Sequence, residues 1–387
     1  MHLYFLDENV KRLSGPHETY LSLSFREHFT RTGDFSLTLP MSDAPLLKDA
    51  AYLLLAGEDA PPTFEDGRRT LGRIERTVYD SEKMTVTVSG RLCESLLSER
   101  YIALGTHEEG PVKWVIERVL TQNGVSSIAG LGTRAIAHLG IEEVPHFLDE
   151  TGNHIRIDEY PGGQVLEDWL RALLARYGAS YRITYDENSE DAPLKLSVYQ
   201  PKDRRASQSE NSPVIFSSSQ GTLGSVTLSY DTSLYKNYAF VAGRGEGAER
   251  VTLEVDLRDG DEERRELYLD ARSLSVGDDD APNETYLARL RKYAEKKLRD
   301  HRRIVQIKGT SAPLESATVL PIAAAAPYAA PPLVFSLGDL CDIALDVPPM
   351  TVSERITAIE LTARDGCVMR RALFGAEYPI PQERSAP

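Results

Sequence analysis

Ser336-Leu337-Gly338-Asp339 opens a strand, Arg355-Ile356-Thr357 starts another, Asp365-Gly366 turns the chain, and Phe374-Gly375 closes the last strand. A shorter version of this layout stands near the N-terminus. There Gly72-Arg73-Ile74-Glu75 leads through Asp80-Ser81-Glu82-Lys83 into Met84-Thr85-Val86-Thr87-Val88-Ser89-Gly90-Arg91. Two Arg-Ile strands, each followed by a turn and a glycine-terminated strand, read as related β units at the two ends of the chain. Gly338 permits a close or positive-φ backbone, and Asp339 is placed to cap the turn. The arrangement fits a ring-forming structural protein better than an enzyme.

Between Tyr20 and Pro40, Leu21, Leu23 and Phe25 alternate with serines, Phe35, Leu37 and Leu39 alternate with Ser36 and Thr38, and Gly33-Asp34 stands between the runs. This period of two predicts a hairpin with one buried face. Tyr52 to Leu55 is a continuous apolar strand, the acidic segment around Pro61-Pro62 is a connection, and Met84, Val86 and Val88 are expected to face inward. The first unit therefore reads as a small β-barrel or sandwich. Helical spacing begins after about residue 100, with Val112, Val115, Ile116, Val119 and Leu120 following Pro111. A second helix runs through Val165, Leu166, Trp169, Leu170, Leu173, Leu174 and Tyr177, and Gly178 is placed to stop it. At that spacing Trp169 belongs to the core. Tyr181 to Tyr185 and Leu194 to Tyr199 are strands of the same α/β module.

Residues 201–220, rich in Ser, Asn and charge, predict a linker or long loop. Strands resume at 226–230, 238–242 and 251–257, with Val251, Leu253, Val255 and Leu257 on one face. A helix from about Glu284 to Arg299 has Leu287, Leu290, Ala294 and Leu298 as its apolar stripe, and strand Ile304 to Ile307 follows. The fold class is α+β, mostly β, in several domains. The divisions are 1–100, 101–205 and 206–387, with an inserted helical segment at about 258–302.

The chain has 387 residues and a formal charge of -15, with 59 acidic against 44 basic side chains. That length favours more than one core, and that charge disfavours a surface built to neutralise phosphates. The densest basic run, Arg291-Lys292 with Lys296-Lys297, falls on the charged helix and reads as its solvated face. Cys93, Cys341 and Cys367 are widely spaced and expected to be reduced and buried, with Cys341 and Cys367 in one unit. No signal peptide is read at the N-terminus, and four prolines between Leu320 and Phe335 rule out a spanning helix there.

No H-E-x-x-H, G-x-S-x-G, Walker A or EF-hand pattern occurs, so neither a cofactor, a metal nor a catalytic residue is expected. Gly243-Arg244-Gly245-Glu246-Gly247 lies between strands, where a hairpin or bulge fits better than a phosphate loop. His138, His146 and His154 have no metal spacing, and Asp278-Asp279-Asp280 lacks the glycine and distal glutamate of a calcium loop.

Taken in order, several motifs carry a family resemblance. They are Tyr4-Phe5-Leu6-Asp7-Glu8-Asn9 with Tyr20-Leu21-Ser22-Leu23, Gly33 to Pro40, Gly72 to Glu75, Ser89-Gly90-Arg91-Leu92, Tyr235-Lys236-Asn237-Tyr238, Val241 to Gly247 with Arg250, Leu337-Gly338-Asp339, Arg355-Ile356-Thr357 and Phe374-Gly375. In these the chain resembles the baseplate hub, or tail-tip, proteins of long-tailed bacteriophages, in particular the short hub-like protein of siphophages. The resemblance covers nearly the whole chain, although the segment near 310–335 is longer and richer in Ala and Pro than the family pattern.

It implies a homotrimer whose first and last β units are tail-tube-like, giving six quasi-equivalent barrels that adapt a six-fold tail to a three-fold tip. Implied structural positions are Gly33, Gly72, Arg73, Gly90, Arg91, Asn237, Gly243, Arg250, Gly338, Asp339, Arg355 and Gly375. Implied partners are the distal tail protein, the tape-measure C-terminus and a downstream tip or fibre protein. DNA would be only transiting cargo, with no stable membrane insertion. The protein would reside at the virion tail tip, after assembly in the host cytoplasm, as a hub without a lytic domain. The alternatives are a tail-associated peptidoglycan hydrolase, the hub of a contractile injection device, or a carbohydrate-binding module.

Overall fold

The computed structural model describes residues 1–57, 67–125, 134–274, 284–301, 304–312, 314–315, 335–364 and 367–375. The Pro61-Pro62 connection, the Asp278-Asp279-Asp280 run, the Asp365-Gly366 turn, most of the Ala/Pro-rich segment and everything beyond Gly375 lie outside them. The chain divides into two compact units, Met1–Val226 with Gly309–Pro387, and Thr227–Lys308.

In the larger unit the alternating N-terminal runs form as expected. β1 (His2–Leu6) is followed by β2 (Ser22–His28) and β3 (Asp34–Pro40), which pair antiparallel from Ser22↔Thr38 to Arg26↔Asp34. Leu23, Phe25, Phe35, Leu37 and Leu39 are buried, whereas Leu21 lies before the strand and is exposed. β4 (Tyr52–Ala56), β5 (Arg69–Arg73), β6 (Arg76–Asp80) and β7 (Thr85–Arg91) complete the N-terminal strands. Val86 and Val88 point inward, but Met84 is exposed with φ 54. The Asp80 carboxylate accepts hydrogen bonds from the N–H groups of Glu82 and Lys83, so Met84 is still leaving the turn and has not joined the alternation.

β8 (Glu108–Pro111) leads into α1 (Val112–Gln122), then β9 (Leu139–Glu143), β10 (Arg156–Glu159), α2 (Leu166–Ala175), β11 (Ser180–Tyr185) and β12 (Leu194–Tyr199). β10 pairs with β8, and a second sheet runs β1-β4-β5-β11-β12-β9. Both helices contribute their predicted faces to one core with Leu54, Leu71, Ile183 and Leu196, and Trp169 is buried there. Gly178 adopts φ 63 after α2, and Ala179 N–H returns to the Leu174 carbonyl, the left-handed stop that its position predicts.

Of the linker or long loop predicted at 201–220, the long loop forms, and it is bound to the C-terminal half rather than linking separate units. Arg204 N–H donates to Leu340 O and Val214 N–H to Arg204 O, and β13 (Ile215–Ser217) pairs in parallel with β20 (Leu340–Asp346). Its polar composition reflects side-chain bonding to a neighbouring segment that sequence spacing does not reveal.

β14 (Leu223–Asp231), β18 (Ile304–Ser311), β19 (Leu314–Glu315), β21 (Pro349–Arg364) and β22 (Cys367–Phe374) finish the large sheet, whose main path is β14-β18-β22-β21-β2-β3-β7-β6. This path is two four-stranded blocks, one from the first hundred residues and one from the C-terminal half, joined where β2 lies antiparallel to β21 from Ser22↔Arg364 to His28↔Ala358. Among the described residues it stays open, ending at β6 and β14, and closes no barrel. Arg355-Ile356 lies inside the sixteen-residue β21 rather than starting a strand. Cys93 and Cys341 are buried and free, but Cys367 is free and exposed, because it begins β22.

The smaller unit has β15 (Tyr238–Ala242) between antiparallel β16 (Thr252–Asp256) and parallel β17 (Glu266–Asp270), packed with α3 (Glu284–Asp300). The helix buries Tyr286, Leu290, Ala294 and Leu298, a strict i, i+4 ridge, and leaves Leu287 exposed. Val255 is buried, while Leu257 lies beyond β16 and is exposed. No helix among the described residues is long and apolar enough to cross a membrane.

Candidate functional site

The family-motif positions gather into three clusters, all of which brace the backbone. In the first, β5 carries Gly72 under the ring of Phe35, where a Cβ would stand only 2.6 Å from ring carbons. Phe35 is also the register partner of Gly90, where a Cβ would stand 1.9 Å from the Arg73 carbonyl oxygen. Gly33 leaves no room for a side chain against Arg26 O and Leu92, and it accepts the Leu92 N–H at 2.9 Å. Arg91 clamps Glu75, its Nη2 2.7 Å from Oε1 and its Nε 3.1 Å from both carboxylate oxygens, while Arg73 pairs with Glu99. Accepting these charged bonds holds the Glu75 carboxyl below the usual range. The five residues thus fix the crossing from β5 into the β6–β7 hairpin.

The second cluster lies at the equivalent crossing in the C-terminal half. Gly338 has φ 91, and a Cβ there would stand 2.5 Å from the Phe29 ring and 2.7 Å from Pro201. Asp339 caps the turn as its position predicts, accepting the Ser336 N–H at 2.9 Å. It also accepts the Lys202 N–H at 2.9 Å and Arg204 Nε at 2.7 Å, in an ion pair with side chains 5% and 1% exposed. Arg355 donates to Gly338 O and stacks over Phe29, 4.9 Å from the ring centre. Thr357, at a register shift in β21, donates to the Gly375 carbonyl at 3.0 Å.

The third cluster belongs to the smaller unit. Arg250 reaches back across the glycine-rich connection to the carbonyls of Gly243 and Ala242, both at 2.9 Å, and to Asp270 at 2.6 Å. Gly243 lies against the Tyr286 hydroxyl, which accepts the Arg244 N–H. Asn237 donates to Glu262 and Glu263 O and accepts the Arg265 N–H at 2.7 Å. The glycine-rich loop is thus held as a β connection, as its flanking strands predict.

Spacing alone missed a polar group in the interior. Glu27 follows Leu23 and Phe25 on the buried face of β2, so continuing the alternation would have found it. It accepts the Thr70 hydroxyl at 2.7 Å, and burial raises its pKa to about 7, with the Glu94 charge adding to the rise and Arg370 and Arg182 opposing it. Glu94, in a short helical turn, is likewise pushed by burial to about 7. Phe29 and Arg204 carry no comparable sequence signal.

These carboxyl groups have the raised pKa of an acid catalyst, but each is only 7% exposed, which seals it from a polymer substrate. The rings of His146 and His154 lie 4.8 Å apart, and His138 sits elsewhere with φ 64. Among the described residues no group of three or more His, Cys, Asp or Glu could hold a metal ion.

Glycine crossings and arginine clamps of this kind fix backbone geometry. The family model described as Siphovirus ReqiPepy6 Gp37-like protein matches residues 3–376. The chain belongs to this family.

The fold is similar to that of the tail protein from Neisseria meningitidis MC58, at 12% identity over 97% of this chain and 96% of that one, with TM-score 0.50. It is also similar to the 43 kDa tail protein of prophage MuSo2 from Shewanella oneidensis, at 10% identity over 97% and 98%, with TM-score 0.51. No curated protein sequence matches the chain.

Proposed function

We propose that this Gp37-like chain is the hub of the tail tip, a non-enzymatic homotrimer that closes the tail tube and adapts six-fold tail to three-fold tip. The observation that carries this reading is the pairing of two four-stranded blocks, one from the first hundred residues and one from the C-terminal half, in one sheet. Beside each block an Arg-Ile step marks where the chain passes from a strand pair outside the block into one inside it. Arg73-Ile74 links the β4–β5 and β6–β7 pairs, and Arg355-Ile356 links the β20–β21 and β21–β22 pairs. Three copies of a chain with two similar blocks supply six similar units, the number a six-fold tube needs.

The open edges at β6 and β14 leave backbone groups for pairing with neighbours, and Val78 and Tyr79 on β6 are exposed. The distal tail protein, the tape-measure C-terminus and a tip or fibre protein are the proposed partners. DNA passes only as cargo, since a charge of -15 per chain repels phosphates. Light scattering of the full chain at micromolar concentration, with imaging of the intact tail, tests the reading. A trimer mass or three-fold density at the tip is expected, and monomer mass together with a tip lacking three-fold density overturns it.

A further inference from the structure

In an acidic chain, one helix departs from the charge of its surroundings. α3 carries Arg289, Arg291, Lys292, Lys296, Lys297 and Arg299 against Glu284, Glu295 and Asp300, in a chain whose total is -15. Its inner ridge packs into the core of the smaller unit, so the cations are presented outward, with Arg289, Arg291, Lys292, Lys296 and Arg299 exposed. Among the described residues the same face borders a groove of about 750 Å³ whose apolar part is Leu274, Ala288 and Tyr293. Leu274 and Tyr293 are half-buried against the core, which gives the groove a fixed floor. A merely solvated helix face needs cations but has no use for a concave apolar floor beneath them.

We propose that this groove docks an acidic polypeptide segment with an apolar anchor, its carboxylates meeting Arg289, Lys292, Lys296 and Arg299 and its anchor resting on Leu274 and Tyr293. Charge complementarity selects the acid, and concavity selects the polypeptide. Lys292 and Lys296 stand about 6 Å apart along the helix axis, close to the roughly 7 Å between alternate side chains of an extended strand. A volume of this size takes a few side chains, as binding clefts do. Duplex DNA and a bilayer present a convex rod and a plane, and neither fills a concave floor. Glu295, in the wall of the groove and 3.9 Å from Arg299, further disfavours a continuous row of phosphates. Exposed ion pairs are individually weak and screened by salt, so the affinity depends on several acting together over the apolar contact.

Fluorescence anisotropy of the full chain with a short fluorescein-labelled peptide of Glu-Glu-Leu repeats tests this. Saturable binding at low salt is expected, weakened about tenfold or more in K292E/K296E with the melting temperature unchanged, as loss of steering charge requires. A Glu-Glu-Ser peptide, which tests the anchor without altering the protein, should bind more weakly. The proposal is overturned by absence of saturable binding, by equal binding to the double variant, or by equal affinity for the Glu-Glu-Ser peptide. Tighter binding of a duplex DNA or of anionic vesicles than of the Glu-Glu-Leu peptide also overturns it.

Discussion

At the scale of single residues, Gly338 and Asp339 show how a turn becomes a constraint. The backbone at Gly338 has φ 91, and any β-carbon would meet Phe29 and Pro201. Gly338→Val should cost about 1–3 kcal/mol from backbone strain alone, and a melting temperature equal to wild type would contradict that account. Asp339→Ala should cost more, about 3–5 kcal/mol, because it strands the buried Arg204 guanidinium; calorimetry of the two variants checks the order.

The Glu27 carboxyl gives a prediction in pH. Facing it are Thr70 and Arg69 of β5, Arg182 of β11, Tyr199 of β12, Arg370 of β22 and the Glu94 carboxyl. Burial raises both folded carboxyls from 4.5 to about 7. A raised folded value means that the folded chain holds protons the unfolded chain releases. The stability it contributes is therefore complete below about pH 4.5 and is lost as pH rises through about 7. Melting temperature should fall between pH 5 and pH 8, and Glu27→Gln should flatten that fall. A variant with the wild-type slope would show that Glu27 is not the titrating group.

At the scale of elements, α2 illustrates pattern and packing in agreement. Its Leu166, Trp169, Leu170, Leu173 and Leu174 recur at helical spacing and all are buried. Leu170→Ala or Leu174→Ala should destabilise the larger unit by about 2–5 kcal/mol, the cost of deleting a packed leucine. Thermal melts in which both changes are silent would place this face at the surface. α3 shows the opposite case, since a helix with both Tyr286 and Leu287 at its start allows two apolar stripes. Packing on β15 selected the one through Tyr286, whose hydroxyl meets the Arg244 N–H.

At the scale of the whole molecule, the open edge of β6 is the natural place to test assembly. Val78 and Tyr79 are exposed on a strand paired only on its β7 side among the described residues. If subunits pair through such edges, Val78→Lys should lower the fraction of trimer at fixed concentration while leaving the melting temperature of the monomer nearly unchanged. Unchanged trimer mass across a dilution series would exclude β6 from the interface.

Hairpins, helix faces and stops were legible in the sequence because each depends on residues close along the chain. Leu23 to Leu39 alternate, α1 and α2 repeat at helical spacing, and Gly178 ends α2, all through contacts within about one turn or one hairpin. Order and spacing of the weak motifs also carried the family. The tertiary structure alone decided that β2 lies beside β21, that Arg204 in an apparent linker meets Asp339, and that Glu27 and Glu94 share one interior. These partners are far apart in sequence, and their pairing is set by which apolar faces and hydrogen-bonding edges remain unsatisfied once local elements have formed. Backbone geometry completes the division: a glycine says that a side chain is unwelcome, and only the folded chain shows that at Gly72 and Gly338 the excluding neighbours are Phe35 and Phe29.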